Sequence, residues 1–169
     1  GQVREYFHAL RVGNGSHARG LLNAQIPAGD AALLDGDALK RSVASMSRVD
    51  YEVVETSEDG RQATVRASYT LDGQPQHTDF HLHHSGTHWG FFDKWAIDGD
   101  TLPTVKVNIQ GVEAATINNR KVAVDEGEAT FPVFYPGTYA VSYDSTVYTA
   151  QKVTETVTNN QGEHVARVD

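Results

Sequence analysis

The chain has 169 residues, with 14 Lys and Arg against 22 Asp and Glu, and its formal net charge is −8 at pH 7. This length suits one large domain or two small ones. The acidic balance argues against nucleic acid and anionic membrane surfaces as partners, because both are bound through basic patches, and the absence of cysteine excludes disulfides, thiolate metal sites and cysteine nucleophiles.

The N-terminal segment predicts three helical pieces. One apolar stripe at i, i+3, i+4 and i+7 marks the first piece, and it consists of Val3, Tyr6, Phe7 and Leu10. The sequence GNG at 13–15 interrupts this piece, and a second follows with Ser16 as its expected N-cap. A third piece is expected where Leu39, Val43 and Met46 share one helical face.

From Arg48 onward the apolar period changes to two, which predicts strands. The turn sequences SEDG, DGQP and SGT divide residues 48–98 into four strands of an antiparallel meander. After DGDTLP at 98–103 every segment is strand-like, and INNRKV at 117–122 is a two-residue hairpin signal. A last strand is expected over EHVARV at 163–168.

Two stretches, VREYFHALRVGNGSHARGLL at the start and GFFDKWAID at the end of the meander, resemble extracytoplasmic NTF2-like domains of the DUF4878 and lipoprotein type. The resemblance covers residues 1–98. It implies that residues 1–100 form an α+β NTF2-like cone, in which helices pack on a curved antiparallel sheet. Residues 101–169 are then expected to form a small all-β, sandwich-like domain of Ig-like or PEGA-like kind.

The second half contains VEAATINNRKVAV and FYPGTYAVSY, which resemble PEGA-like and TcaA-type surface modules of Gram-positive bacteria, although Asn119 stands where those modules usually have glycine. Together the resemblances imply an extracytoplasmic, cell-surface ectodomain of a membrane-anchored protein, with its anchor outside this chain. They imply non-catalytic binding, sensing or interaction at the cell envelope. The expected partner is an unknown envelope protein or a small ligand, and analogy adds a homodimer formed through the sheet.

Five of the eight histidines lie in HTDFHLHHSGTH at 77–88. Alternate side chains of a strand share a face, which groups the residues His77, Asp79, His81 and His83. Two histidines spaced i, i+2 beside a carboxylate match zinc-ligand chemistry, so binding of zinc or a similar divalent metal is one hypothesis. The alternative is that Phe80 and Leu82 face the core, which leaves the histidines as the solvated face of an ordinary strand.

A ligand pocket inside the cone, with isomerase or hydrolase-type chemistry, is the alternative function. Four aromatic residues are candidates to line it: Tyr6, Tyr51, Tyr69 and Trp95. The sequence pattern does not require any carboxylate–histidine pair to point inward, so the chain is expected not to be an enzyme. Neither a catalytic residue nor a resident cofactor is predicted.

Overall fold

The computed structural model describes residues 1–109, 114–117, 120–144 and 151–168. Three α-helices precede the main strands in these ranges: α1 (Gln2–Val12), α2 (Gly15–Leu22) and α3 (Gly36–Ser42). A 3₁₀ turn, Ala31–Leu33, lies between α2 and α3. No helix in the described part of the chain combines the length and hydropathy of a membrane span.

The predicted break between the first two helices is confirmed at GNG. Gly13 ends α1 in the left-handed conformation, with φ 72°, which glycine adopts without steric cost. The predicted cap is wrong, because α2 is capped by Asn14 and not by Ser16. The side-chain oxygen of Asn14 accepts a hydrogen bond of 3.1 Å from the backbone N–H of His17.

The meander is confirmed with four antiparallel strands. A short strand, β1 (Ala24–Gln25), comes before it. The meander itself consists of β2 (Asp50–Thr56), β3 (Gln62–Leu71), β4 (Gln74–His88) and β5 (Phe92–Ile97). Each strand pairs with its neighbours in the chain, so the sheet order is β2-β3-β4-β5.

In the described ranges, the strands that follow residue 98 belong to three further sheets. They are β6 (Asp100–Thr101), β7 (Thr104–Asn108), β8 (Ala114–Ile117), β9 (Arg120–Ala123), β10 (Glu128–Pro132), β11 (Gly137–Asp144), β12 (Gln151–Val157), β13 (Glu163–Val165) and β14 (Arg167–Val168). The first sheet pairs β6 with β1 in parallel, the second has the order β10-β7-β13, and the third has the order β14-β12-β11-β8-β9.

Two predictions for this half have different outcomes. Ile117 pairs with Arg120 in the antiparallel register that the hairpin prediction requires, and the two residues between them lie outside the described ranges. The prediction of one continuous last strand over residues 163–168 is wrong, because the chain passes from one sheet to another at Ala166. Before it, β13 pairs in parallel with β7, and after it β14 pairs antiparallel with β12.

Tyr6 on α1 joins the meander to the second half of the chain. Its buried ring meets Phe80 of β4 edge-on, with ring centroids 5.7 Å apart, and meets Phe134 at 6.5 Å. Its hydroxyl donates a hydrogen bond of 2.5 Å to the carbonyl oxygen of Tyr135. Residues from both sides of position 100 therefore belong to one hydrophobic core.

The predicted fold class, an NTF2-like cone followed by a sandwich-like domain, is wrong. Strands hold 51% of the described residues and helices 19%, and the strands form four small sheets with no closed barrel in that part of the chain. A cone needs one curved sheet that encloses its helices. Here the meander has only four strands, and Phe134 and Tyr135 complete the core around Tyr6.

Parallel pairing is the second departure from the predicted fold. The pairs β1–β6 and β7–β13 are parallel, whereas an Ig-like sandwich is built from antiparallel sheets. The apolar period of two identifies a strand but not its partner, so the sequence could not supply this pairing. The division into domains 1–100 and 101–169 stays a prediction.

Candidate functional site

The β4–β5 hairpin extends beyond the rest of the meander. Strand β3 pairs with β4 only as far as His83, and the N–H of His84 then donates a hydrogen bond of 2.8 Å to the carbonyl oxygen of Arg61. Past this point the ladders of the described strands join β4 only to β5, so residues 85–94 form a two-stranded ribbon. The β4 side of the ribbon, residues 85–88, reaches roughly 13 Å at the usual rise of a strand.

A β-bulge lies at the base of this ribbon. The pairing of β4 with β5 shifts between His84 and Gly86, so one extra residue is inserted into β4. A bulge bends its strand and increases the local twist. The ribbon is therefore redirected relative to the sheet from which it extends.

Three large aromatic side chains at the end of the ribbon are exposed to solvent. Their relative exposures are 78% for Trp89, 85% for Phe91 and 62% for Phe92. Trp89 and Gly90 have φ values of 55° and 76°, and the N–H of Phe91 closes the turn on the carbonyl oxygen of His88 at 3.2 Å. Two successive residues at positive φ are typical of a type I′ turn. We call residues 89–92 the aromatic tip.

The histidine stretch alternates on β4 as its sequence parity predicts. Phe80 and Leu82 are buried on the core side, together with Thr78. His77 and His81 are exposed on the opposite, outer face of the sheet. This is the arrangement expected of a half-buried antiparallel strand.

Asp79, the predicted carboxylate ligand, is engaged by arginine. Arg66 lies opposite it on β3 and donates from Nε to Oδ1 at 2.8 Å and from Nη2 to Oδ2 at 3.0 Å. This bidentate hydrogen bonding lowers the pKa of the Asp79 carboxyl below its ordinary value. Both carboxylate oxygens are therefore oriented toward the guanidinium.

Two of the predicted histidine ligands have separate partners. A hydrogen bond of 3.1 Å joins His81 Nδ1 to Thr64 Oγ1, and one of 2.6 Å joins His83 Nδ1 to Asp98 Oδ1. Among the described residues, no group of three His, Asp or Glu side chains is arranged so that it could hold a metal ion. Metal binding by His77, Asp79, His81 and His83 stays a hypothesis that the structure does not test.

Tyr6 and Tyr69 are buried in the core and have engaged hydroxyls. The hydroxyl of Tyr69 donates to Thr78 Oγ1 at 2.6 Å, and Thr78 in turn donates to the carbonyl oxygen of Thr158 at 2.7 Å. Burial raises the pKa of Tyr69 to about 12 and raises that of Tyr6 well above its ordinary value. Both side chains are therefore neutral donors that hold the core together.

Phe7 fills the space between three of the predicted pocket residues. Its ring centroid lies 5.9 Å from those of Tyr6 and Tyr51 and 6.1 Å from that of Tyr69. Tyr51 is only partly buried, and burial raises its pKa although the Arg4 guanidinium lies 4.5 Å above its ring. The fourth residue, Trp95, lies apart at the base of the ribbon.

Two cavities provide other places where a small molecule could bind. One of about 230 Å³ is lined by Glu55, Thr64, His81 and Asp98, among others. Ligand pockets usually measure about 300–1,000 Å³, so this cavity is small. A second cleft of about 610 Å³ has Lys106 in its wall, where its ammonium group is paired with two glutamates.

No protein-family model, curated protein or solved structure matches this chain.

Trp89, Phe91 and Phe92 are absent from the predicted site residues, because GFFDKWAID was interpreted as a closing strand of the sheet. Adjacent residues of a strand point to opposite faces. Phe91 and Phe92 could therefore not both face the core of a two-layer fold, and this parity is the signal in the sequence that could have identified the tip.

Proposed function

We propose that this protein is a non-catalytic binding module that contacts its partner through the aromatic tip. The observation that carries the proposal is the exposure of Trp89, Phe91 and Phe92 together at the end of one ribbon. Grouped exposed apolar side chains mark interaction sites. Aromatic residues are also enriched among the side chains that dominate binding energy.

The backbone of Trp89 gives a second reason. A left-handed conformation costs a non-glycine residue roughly 1–2 kcal/mol, and Trp89 adopts one at φ 55°. Asn or Gly would fit that turn position better. A residue that is unfavourable for the turn and also exposes its ring is poorly explained by folding, and strained positions of this kind cluster at functional sites.

The setting that we propose is extracytoplasmic, as the ectodomain of a membrane-anchored envelope protein. The resemblance of the second half to bacterial surface modules supports it. The lack of cysteine is compatible with export, where an unpaired thiol is a liability. The alternative of a catalytic or small-ligand pocket has less support, because Phe7 fills the space among the tyrosines.

Site-specific photocrosslinking in the producing cell tests this function. A photoreactive phenylalanine analogue replaces Phe91, and a matched control replaces Glu58 in the exposed turn between β2 and β3. We expect adducts from position 91 in clear excess over those from position 58. Equal or absent crosslinking at the two positions would rule out the tip as the contact surface.

A further inference from the structure

We propose that the aromatic tip inserts into the interfacial layer of a lipid bilayer whose headgroups carry no net charge. This inference rests on the proposed function and names the class of partner that the tip contacts. A lipid surface is favoured over a protein by three features: the charge of the ribbon, its dimensions and the area it exposes.

The end of the ribbon carries no full charge. Residues 85–92 contain no Asp, Glu, Lys or Arg, and His88 is their only ionisable side chain. The first charged residues are Asp93 and Lys94, which have opposite signs. The chain as a whole has a net charge of −8, so anionic lipids would repel it, whereas zwitterionic headgroups would not.

The dimensions of the tip match shallow insertion. Asp93 follows Phe91 by two positions, a distance of roughly 7 Å along a strand. Interfacial segments bury their apolar side chains about 5–10 Å deep, at the level where tryptophan is enriched. The tip can therefore enter to this depth while Asp93 and Lys94 remain among the headgroups.

The two strands of the ribbon pair part of its backbone with each other. Gly86 pairs with Lys94 and His88 pairs with Phe92, and the turn is closed by its own hydrogen bond between Phe91 and His88. The backbone groups on the two outer edges of the ribbon have no partner within it, and at interfacial depth they bond to headgroups and water.

The exposed area is small for a protein interface. An aromatic side chain buries about 150–250 Å², so the exposed parts of the three rings provide roughly 450 Å². A standard protein interface buries roughly 800 Å² on each partner. A second copy that met this one tip to tip would have an undersized interface, whereas a bilayer surrounds the tip and needs no matching surface.

Sedimentation of the full chain with phosphatidylcholine vesicles tests the inference. We expect the protein to bind them and to stay bound when the salt concentration is raised. In the variant Phe91→Ser/Phe92→Ser the partition coefficient should fall at least about tenfold, because two exposed rings are lost. Val53→Ser is the matched control, since Val53 is 61% exposed on β2, and its partition coefficient should equal that of the unmodified chain.

Four outcomes would overturn the inference. The first two are no binding to phosphatidylcholine vesicles, and an equal fall of the partition coefficient in the double variant and in the control. The other two are binding that occurs only to phosphatidylserine-rich vesicles and is reversed by salt, and a dimer that forms without vesicles and is abolished by the double variant. The photocrosslinking experiment separates this failure from failure of the proposed function. If position 91 crosslinks to a protein and the chain does not bind vesicles, the proposed binding function is supported and the bilayer is refuted as the partner.

Discussion

Alkaline pH should unfold this protein, because its core retains tyrosine protons. Burial raises the pKa of Tyr69 and Tyr135 to about 12, and burial also raises that of Tyr6 and Tyr139. In the unfolded chain a tyrosine loses its proton near pH 10. The stability contributed by each raised pKa is therefore fully present below pH 10 and is lost as the pH rises toward the folded pKa.

The size of the effect follows from the number of buried tyrosines. One pH unit above the unfolded pKa, each such residue lowers the free energy of unfolding by a little over 1 kcal/mol. The four residues together remove about 5 kcal/mol, which is comparable with the whole stability of many domains. We therefore expect cooperative unfolding between pH 10 and 12, before these four hydroxyls ionise in the folded state.

Urea denaturation followed by circular dichroism, repeated from neutral pH to about pH 11, measures this loss. Tyr6→Phe is the test variant, and it should be less stable at neutral pH, since the hydrogen bond to Tyr135 is lost. Its free energy of unfolding should fall less steeply between pH 10 and 11 than that of the unmodified chain, because about one proton fewer is released on unfolding. A free energy of unfolding that stays flat between pH 10 and 11 would refute the reasoning. So would the release of all tyrosine protons near pH 10 while the native circular dichroism persists.

Three further predictions concern α2 and the outer sheet face. Gly15→Ala should cost about 2 kcal/mol or more in urea unfolding, because a Cβ there would lie 2.0 Å from the carbonyl oxygen of Leu34, whereas Gly20→Ala in the same helix meets nothing within 4 Å and should stabilise the protein. Similar effects of the two substitutions would contradict the close approach. Asp79→Asn should lower stability at neutral pH by less than about 1 kcal/mol, since the ion pair with Arg66 is partly exposed. The pKa of the Asp79 carboxyl is lowered in the folded protein, so the stability difference between the unmodified chain and Asp79→Asn should vanish as the pH falls from 3.8 through that folded pKa. A stability difference that persists in acid would contradict this prediction. Zinc calorimetry should give no saturable heat at micromolar zinc, because Arg66 occupies both Asp79 oxygens, and a one-to-one isotherm would show that the ion pair opens to bind metal.

The meander could be predicted because its strands alternate clearly and pair with chain neighbours. The alternation of Phe80 and Leu82 was enough to predict which face of β4 packs against the core. Pairings between distant segments were not predictable, since nothing local to β13 indicates a parallel partner in β7. The NTF2-like resemblance rested on two short stretches and on the order of the elements, and neither determines how a sheet is completed.

The candidate site was harder to predict than the fold. Tyr6 and Tyr69 were expected to line a pocket because they are polar aromatics on inward-facing positions. Their burial and the position of Phe7 depend on tertiary packing, which the sequence does not specify. The aromatic tip was not predicted for another reason. In the sequence, three aromatic residues beside a strand resemble buried strand residues, and only the register of the pairing shows where the sheet ends.

The central claim is that the aromatic tip is exposed in the free protein and covered when the protein acts. Hydroxyl-radical footprinting of the full chain, purified and then in envelope preparations from the producing cell, measures both states. We expect Trp89 and Phe91 to be oxidised rapidly in the purified protein and to be protected in the envelope preparation, while the rate at Tyr51 stays constant. Equal oxidation of the tip in both preparations, or slow oxidation in the purified protein, would contradict the claim.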